Sequence, residues 1–253
     1  MSLVYSSTSL EKGLKALFME SFNAEESLAP KLCYVKSSQP DKEKYEWLGQ
    51  APQMSELQGT RQVTPLSDTG YTLNNTVYTA TIEVKRTDLD DNQSGSIRRR
   101  IQQMAATASA HVNKLVINAL IDGTTNTCYD GTAFFGNSHT ARADEGGVQD
   151  NLLAGSGVTT GAIATDFAAS KAALLGYKNE AGEPFHGDGA GSFAVVAPPG
   201  LEKNFREVLG ASMISQTSNM QAGMADLIIS PRLSDANDWY MLRTDSLRGL
   251  IFQ

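Results

Sequence analysis

Residues 88–123, DLDDNQSGSIRRRIQQMAATASAHVNKLVINALIDG, carry the strongest helical pattern in the chain. Apolar side chains recur every three or four positions, at Ile97, Ile101, Met104, Ala105, Ala108, Val112, Leu115, Val116, Ala119 and Leu120, which is one face of an α-helix. Asp88, Asp90 and Asp91 put negative charge at the positive end of the helix dipole, and Asn92 or Ser94 can accept from the first free amides. Gly123 supplies a stop. A helix over about residues 93–122, at about 1.5 Å per residue, is a rod about 40 Å long and more than twice the usual length. A fold built on it has a spine.

Upstream, Leu10, Leu14, Leu17, Phe18 and Phe22 fall one turn apart and predict a shorter helix that Pro30 ends. Leu32-Cys33-Tyr34-Val35 reads as extended. Ser37 to Glu46 is polar, with Asp41, Lys42, Glu43 and Lys44 in a row, and suits an arm lying on something else or a solvated extension. Thr60 to Leu66 reads as a strand confined to an edge by Pro65. Ser67-Asp68-Thr69-Gly70 and Asn74-Asn75 read as turns. Tyr78, Ala80, Ile82 and Val84 then alternate with Thr79, Thr81, Glu83 and Lys85, the period of a half-covered strand. A two-stranded excursion of this kind is marginal alone and needs a partner surface.

Downstream of the spine the pattern is α/β. A helix opening at Thr165 or Asp166 runs through Phe167, Ala168, Ala172 and Leu175. Phe193-Ala194-Val195-Val196-Ala197 is a buried strand, Pro199 to Leu209 a helix with proline at its start, and 227–229 and 239–242 are strands. The Gly-rich run 142–161 reads as a loop.

Composition narrows the function. The chain has 253 residues, 41% hydrophobic and 19% charged, enough to bury a core in one large domain or two modest ones. It has no apolar run long enough to span a membrane, and its first residues lack the pattern of a secretory signal, which reads as a cytoplasmic protein. Cys33 and Cys128 are isolated, indicating reduced thiols with neither a zinc site nor a disulfide framework. A net charge of −7 and a pI near 5.0 argue against a protein that grips nucleic acid, because phosphate neutralisation supplies most of that affinity.

No catalytic set assembles either. Asp88, Asp90, Asn92 and Ser94 start like a calcium loop, but Gln93 stands where glycine is needed and Arg99 where glutamate is needed. His111, His139 and His186 are scattered, and His139 reads as a loop hydrogen-bonder. Gly210-Ala211-Ser212 lacks the closing glycine of a nucleophile elbow. Gly187, Gly189 and Gly191 precede a strand, whereas a dinucleotide fingerprint follows one. Arg98, Arg99 and Arg100 fan around a helix and make no single phosphate clamp. No cofactor or metal is implied, and a structural role fits better than an enzyme.

One succession of motifs resembles the Mu-like phage major head subunit (gpT) family. It comprises Lys44-Tyr45-Glu46-Trp47-Leu48-Gly49 with Pro52, Glu56, Gly59 and Arg61, then Tyr71 to Asn75, then Thr81 to Asp88 running into Asp90, Asp91 and Gly95. Cys128-Tyr129-Asp130-Gly131 with Phe134, Phe135 and His139 follows, then Val195 to Glu202, and last Ile229 to Leu233 with Trp239-Tyr240. Two departures stand out: Leu57 occupies a place where the family tends to have tryptophan, and the chain ends at Gln253, sooner than a full member is expected to.

The resemblance implies an α+β chain with the Hong Kong 97-like phage capsid fold. Residues 1–46 would be the N-terminal arm, 47–87 the extended E-loop hairpin, 88–145 a peripheral domain carrying the spine helix, and 146–253 mostly an α/β axial domain with return strands to the peripheral domain. It also implies a major capsid protein of an icosahedral shell enclosing double-stranded DNA, built from hexamers and pentamers of itself. Scaffold or protease, portal and decoration proteins would be its partners, and assembly would take place in the host bacterial cytoplasm without a membrane. The expected inter-subunit contacts are Leu14, Phe18, Trp47, Arg61, Val63, Leu66, Tyr71 and Tyr78. An encapsulin-like nanocompartment shares the expected fold, and a soluble hydrolase or a DNA-binding accessory protein are the other readings.

Overall fold

The computed structural model describes residues 7–38, 42–48, 68–81, 83, 94–128, 130–140, 147–178, 182–184, 191–214, 217–245 and 248–253. Along them run α1 (Ser7–Ala24), α2 (Ala29–Leu32), β1 (Cys33–Val35), β2 (Lys42–Leu48), β3 (Asp68–Asn74) and α3 (Ser94–Ile121). A 3-10 turn (Asp122–Thr124) leads to β4 (His139–Thr140), β5 (Val148–Gln149), α4 (Thr160–Gly176) and β6 (Phe193–Ala197). A second 3-10 turn (Pro199–Leu201) opens α5 (Glu202–Gly210), followed by β7 (Met213–Ile214), β8 (Thr217–Ser218), β9 (Asp226–Ile229), β10 (Tyr240–Arg243) and β11 (Leu250–Phe252). The content is α+β, and the chain divides into two compact units, Met1–Lys31 with Thr76–Val116, and Leu32–Asn75 with Ile117–Gln253.

The spine forms where its periodicity places it, over the 28 residues of α3, and the part through Val116 belongs to the first unit. Its buried positions here are Ile97, Ile101, Ala105, Ser109 and Val116. Four-residue steps advance 40° per repeat on a helix of ~3.6 residues per turn, so the covered row slants around the axis. Ser109 is therefore buried, while Ala108 and Val112, expected in the stripe, are only half-buried. Asn113 ties the segment after α1 to this helix: its Oδ1 accepts from Leu28 N at 2.8 Å and its Nδ2 donates to the Glu26 carbonyl at 3.1 Å. On α1, Leu14, Leu17, Phe18 and Phe22 are half-buried, as the one-turn spacing requires, and the Phe18 and Phe22 rings stack at 6.0 Å.

Among its described residues, the alternation from Tyr78 onward makes no strand. Thr76–Thr81 has no regular structure and Tyr78, Thr79 and Ala80 are all exposed; Ile82 and Val84 lie outside the described residues. A period of two becomes a covered face only beside a neighbouring strand. Tyr78 instead packs edge-on against His111 of α3 at 4.5 Å.

The second unit is organised around β6. Every residue of Phe193–Ala197 is buried. β6 pairs antiparallel with β10 (Val195 opposite Met241) and parallel with β9 (Val195 opposite Leu227), giving the order β10-β6-β9. Ile163 and Phe167 of α4 and Phe205, Val208 and Leu209 of α5 cover it, joined by Leu201 and by Trp239 edge-on to Phe205 at 5.1 Å. α4 begins earlier than its apolar spacing suggests, because Thr159 caps it by accepting from Ala162 N. The glycine-rich stretch therefore includes the first turn of a helix, and its strand β5 pairs with β4.

Gly123 does more than stop the spine. A Cβ there would stand 2.6 and 2.8 Å from ring carbons of Phe135. That ring is itself packed against Phe134 at 4.9 Å and Tyr240 at 5.3 Å. Downstream, Asn151 pins the loop: its amide N reaches the Gly136 carbonyl, its Oδ1 accepts from Gly136 N, and its Nδ2 donates to the Phe134 carbonyl.

Candidate assembly surfaces

Three of the eight expected contact residues, Arg61, Val63 and Leu66, lie outside the described residues, as does the strand expected over 60–66. Trp47 stands in β2 opposite Thr69, its side chain also outside what is described. Leu14 and Phe18 share one face of α1, and Tyr78 lies with His111 in that first unit; Tyr71 belongs to the second unit, on β3 opposite Tyr45. The structure thus groups them by unit and does not gather them at one spot.

β2 and β3 form a two-stranded antiparallel ribbon, Lys42 opposite Asn74 and Leu48 opposite Asp68. This corrects two expectations: the polar stretch 37–46 enters a strand, and Asp68-Thr69-Gly70 is strand and not turn. Cross-strand pairing overrides the local turn preference of those residues. Glu43, Tyr45 and Leu73 are half-buried while Lys42, Lys44, Thr72 and Asn74 are exposed, the alternation of a ribbon with one partly covered face; Tyr71, opposite Tyr45 on that face, is exposed at 37%. Among the described residues no third strand joins it.

A polar clasp fixes the open end of this ribbon. Tyr45 Oη donates to Gln253 Oε1 at 2.7 Å, and Gln253 Nε2 donates to Asn75 Oδ1 at 3.0 Å. Asn75 Nδ2 donates to Ser38 Oγ at 2.9 Å. Lys36 pairs with Glu43 at 2.8 Å, lies 4.8 Å from the Tyr45 ring centre, and donates its backbone N–H to the Phe252 carbonyl. The hydrogen bond between them holds the Glu43 carboxyl below its ordinary range and the Lys36 ammonium above its own. β1 pairs parallel with β11, Cys33 opposite Leu250, so both termini of this unit meet at the ribbon's base. Cys33 is buried and its thiol is pushed up to about 11 by that burial, which keeps it protonated and inert. Sequence reading missed the clasp: its members are 217 residues apart, and polar side chains carry no periodic signal.

His139 Nδ1 lies 2.7 Å from Asp130 Oδ2, a pair that staples the loop between the spine and β4. It is the hydrogen-bonding role expected of that histidine. Arg98, Arg99 and Arg100 are all exposed. Among the described residues there is no cluster of metal-ligating side chains, and no helix is long and apolar enough to cross a membrane.

A long spine helix, a strand ribbon held at one end and a compact α/β sheet together define the class. The fold is that of tailed-phage capsid subunits, the Hong Kong 97-like fold. The procapsid chain of bacteriophage JBD30 matches 90% of this chain and 100% of its own length with a TM-score of 0.66 at 21% identity. The chain from the JBD30 capsid decorated with minor capsid protein trimers matches 92% of this chain and 100% of its own, with a TM-score of 0.63 at 22% identity.

Within that class the chain belongs to the family of the Mu-like prophage major head subunit gpT, which it matches over residues 8–163. The Mu-like prophage FluMu major head subunit of Haemophilus influenzae is 32% identical over 109 residues, 43% of this chain and 35% of that protein. The major capsid protein of Escherichia phage Mu is 31% identical over 109 residues, 43% of this chain and 36% of its own length. The matched stretch thus spans about a third of the curated relatives.

Proposed function

We propose that this chain is a shell-building subunit, a major capsid protein that assembles with copies of itself into an icosahedral phage head around double-stranded DNA. The observation that carries this reading is the match over residues 8–163 to the family of the Mu-like prophage major head subunit, and a structural role fits it better than an enzymatic one. The acidic balance suits a container, since a strongly basic lining would hold packed DNA too tightly. Residues 1–46 act as the arm, 47–87 as the E-loop, 88–145 as the peripheral domain and 146–253 chiefly as the axial domain. Trp47, Arg61, Val63, Leu66 and Tyr71 of the ribbon region, with Tyr78 and the Leu14–Phe18 face, lie against neighbouring subunits. Many such modest contacts accumulate because closed symmetry engages each copy with several others. Scaffold or protease, portal and decoration proteins complete the head, which is assembled in the host cytoplasm and needs no membrane.

Electron microscopy and sedimentation of the purified full chain test this. Closed shells or capsomer rings are expected. A compact monomer persisting at high concentration contradicts the reading, whereas normal shell yield after residues 49–67 are replaced by a short Gly-Ser linker leaves the shell reading standing and contradicts the contact role of Arg61, Val63 and Leu66.

A further inference from the structure

The longest stretch of the chain without a charged residue is Val208 to Ala225, VLGASMISQTSNMQAGMA. In a chain that is 19% charged, a run of this length would ordinarily carry several charges. Burial accounts for only part of it: Val208 and Leu209 lie in the core and Ile214 and Ala225 pack against it, but the described residues between them are largely in solvent. Met213 is 58% exposed, Met220 79% and Met224 37%, and Ser212, Thr217, Ser218, Ala222 and Gly223 are exposed around them.

The backbone beneath these side chains is firmly held. β7 and β8 pair with Met213 opposite Ser218. Asn219 Nδ2 donates to the Val208 carbonyl at 2.7 Å and the Ala211 carbonyl at 2.8 Å, and its amide N–H reaches the Ser212 carbonyl. Gly223, at a φ of 72° that other residues rarely adopt, donates to the Leu209 carbonyl, and Gln221 Nε2 donates to Ala164 of α4 at 2.7 Å. A fixed platform therefore presents methionines outward, whose long unbranched thioether side chains adapt to the shape they meet.

We infer that this methionine-lined turn, Met213 to Met224, is a contact surface for a second copy of this chain. The inference rests on the shell reading above. Each copy carries a net charge of −7, so two copies repel unless their facing surfaces exclude charge. Interface cores are correspondingly depleted in Lys, Glu and Asp and enriched in Met. A nucleic-acid partner would call for a cluster of cations; this stretch has none of its own, and Lys171, whose Nζ donates to Met224 Sδ at 3.2 Å, is a single charge at its edge. Adaptable side chains also serve a closed shell, where one sequence must pack in both five-membered and six-membered rings; Met220 can change rotamer between the two while the platform stays fixed.

The test uses Met220→Glu and Met220→Lys in the full chain, assembled separately and as an equimolar mixture, and scored by electron microscopy with thermal melting as the check on folding. Where equivalent turns face one another, either charge alone repels itself, so each variant should lose shell yield by about tenfold or more while melting like the wild type. The mixture should recover much of the yield, because opposite charges then alternate. Normal shells from both single variants overturn the inference and leave the shell reading intact. Improved yield with lysine but not glutamate also overturns it, in favour of an acidic partner such as DNA. Absence of shells from the wild type itself overturns the shell reading, and this inference falls with it. If a variant melts early, Met220→Gln with Met213→Gln is the neutral control: recovery of melting and shells together assigns the loss to charge, and continued loss of shells despite recovered melting supports a contact that needs the thioethers.

Discussion

The strands β6 and β2 sit in the same unit and are stabilised in opposite ways. β6 has a strand on each side, helices α4 and α5 over it, and no residue left in solvent. Among the described residues β2 has one neighbour, with a half-covered face and a clasp of polar side chains at one end. Apolar burial contributes about 25 cal/mol per Å² removed from water, whereas a single hydrogen bond nets about 0.5–1.5 kcal/mol because water competes for both partners. The sheet therefore holds itself, and the ribbon is held in direction more than in energy. A ribbon of that kind is suited to finding the rest of its stability on another molecule.

The largest effect should come from breaking the self-sufficient side. Phe205 has no exposed surface, lies in the core beside Val195 and Ile163, and meets Trp239 edge-on. Phe205→Ala should cost about 3–5 kcal/mol, a large part of an ordinary domain's stability, and lower the denaturant midpoint of the whole second unit. An unchanged midpoint would remove the contrast at its root.

Gly123→Ala should have an intermediate effect. The added methyl meets the Phe135 ring at under 3 Å, and that ring is wedged against Phe134 and Tyr240 and has nowhere to turn. Overpacking of this kind costs about 1–3 kcal/mol, read as a drop in melting temperature. Gly131→Ala, where nothing lies within 4 Å but φ is 80°, separates the two roles of glycine: it probes backbone strain without collision.

How far the sequence disclosed this architecture follows the same division. The spine was legible to within a residue or so at each end, because a long helix repeats its signal many times. β6 was legible as an unbroken apolar run between Gly191 and Pro198. The ribbon was not: its strands are polar, lie twenty residues apart, and exist through pairing that no local pattern announces. The Tyr78 alternation was the converse, a strand-like pattern whose described residues form no strand, and Tyr78 packs against His111. Of the candidate surfaces, aromatic and aliphatic positions drew notice as exposed apolar residues. The clasp and the methionine turn did not, although the missing charges between Glu207 and Asp226 were there to be counted.

Smaller effects should appear at the clasp. Tyr45→Phe removes the hydroxyl that donates to Gln253 and should cost about 1 kcal/mol or less. Its readout is local: amide-exchange protection should fall over 42–48 and 68–74 and stay unchanged over 193–197. Equal loss in both strands would mean that the ribbon and the core sheet open as one unit, and the comparison would fail.

The smallest effect is also the most specific, because it uses charge alone. Glu43 has its carboxyl held below the ordinary value of 4.5, first through its hydrogen bond with Lys36. A depressed acid contributes fully above its unfolded value and loses that contribution as pH falls through the lower folded value. Lys36 is shifted upward, so its share is complete below its ordinary 10.5 and disappears only at higher alkaline pH. Between those limits the pair is intact, and acid should loosen the ribbon's base before it touches β6, a buried strand with no charged residue of its own. Protection factors over 42–48, corrected for the intrinsic exchange rate at each pH, should therefore decline below about pH 4.5 while those of 193–197 hold. High salt should mimic part of the loss at neutral pH, because the pair is close to solvent and screening weakens it. Glu43→Gln should abolish the pH dependence and leave the Tyr45–Gln253, Gln253–Asn75 and Asn75–Ser38 hydrogen bonds to hold the ribbon. If Glu43→Gln titrates like the wild type, the acid response belongs to another carboxylate, and the ribbon's anchorage is not the pair that joins Lys36 to Glu43.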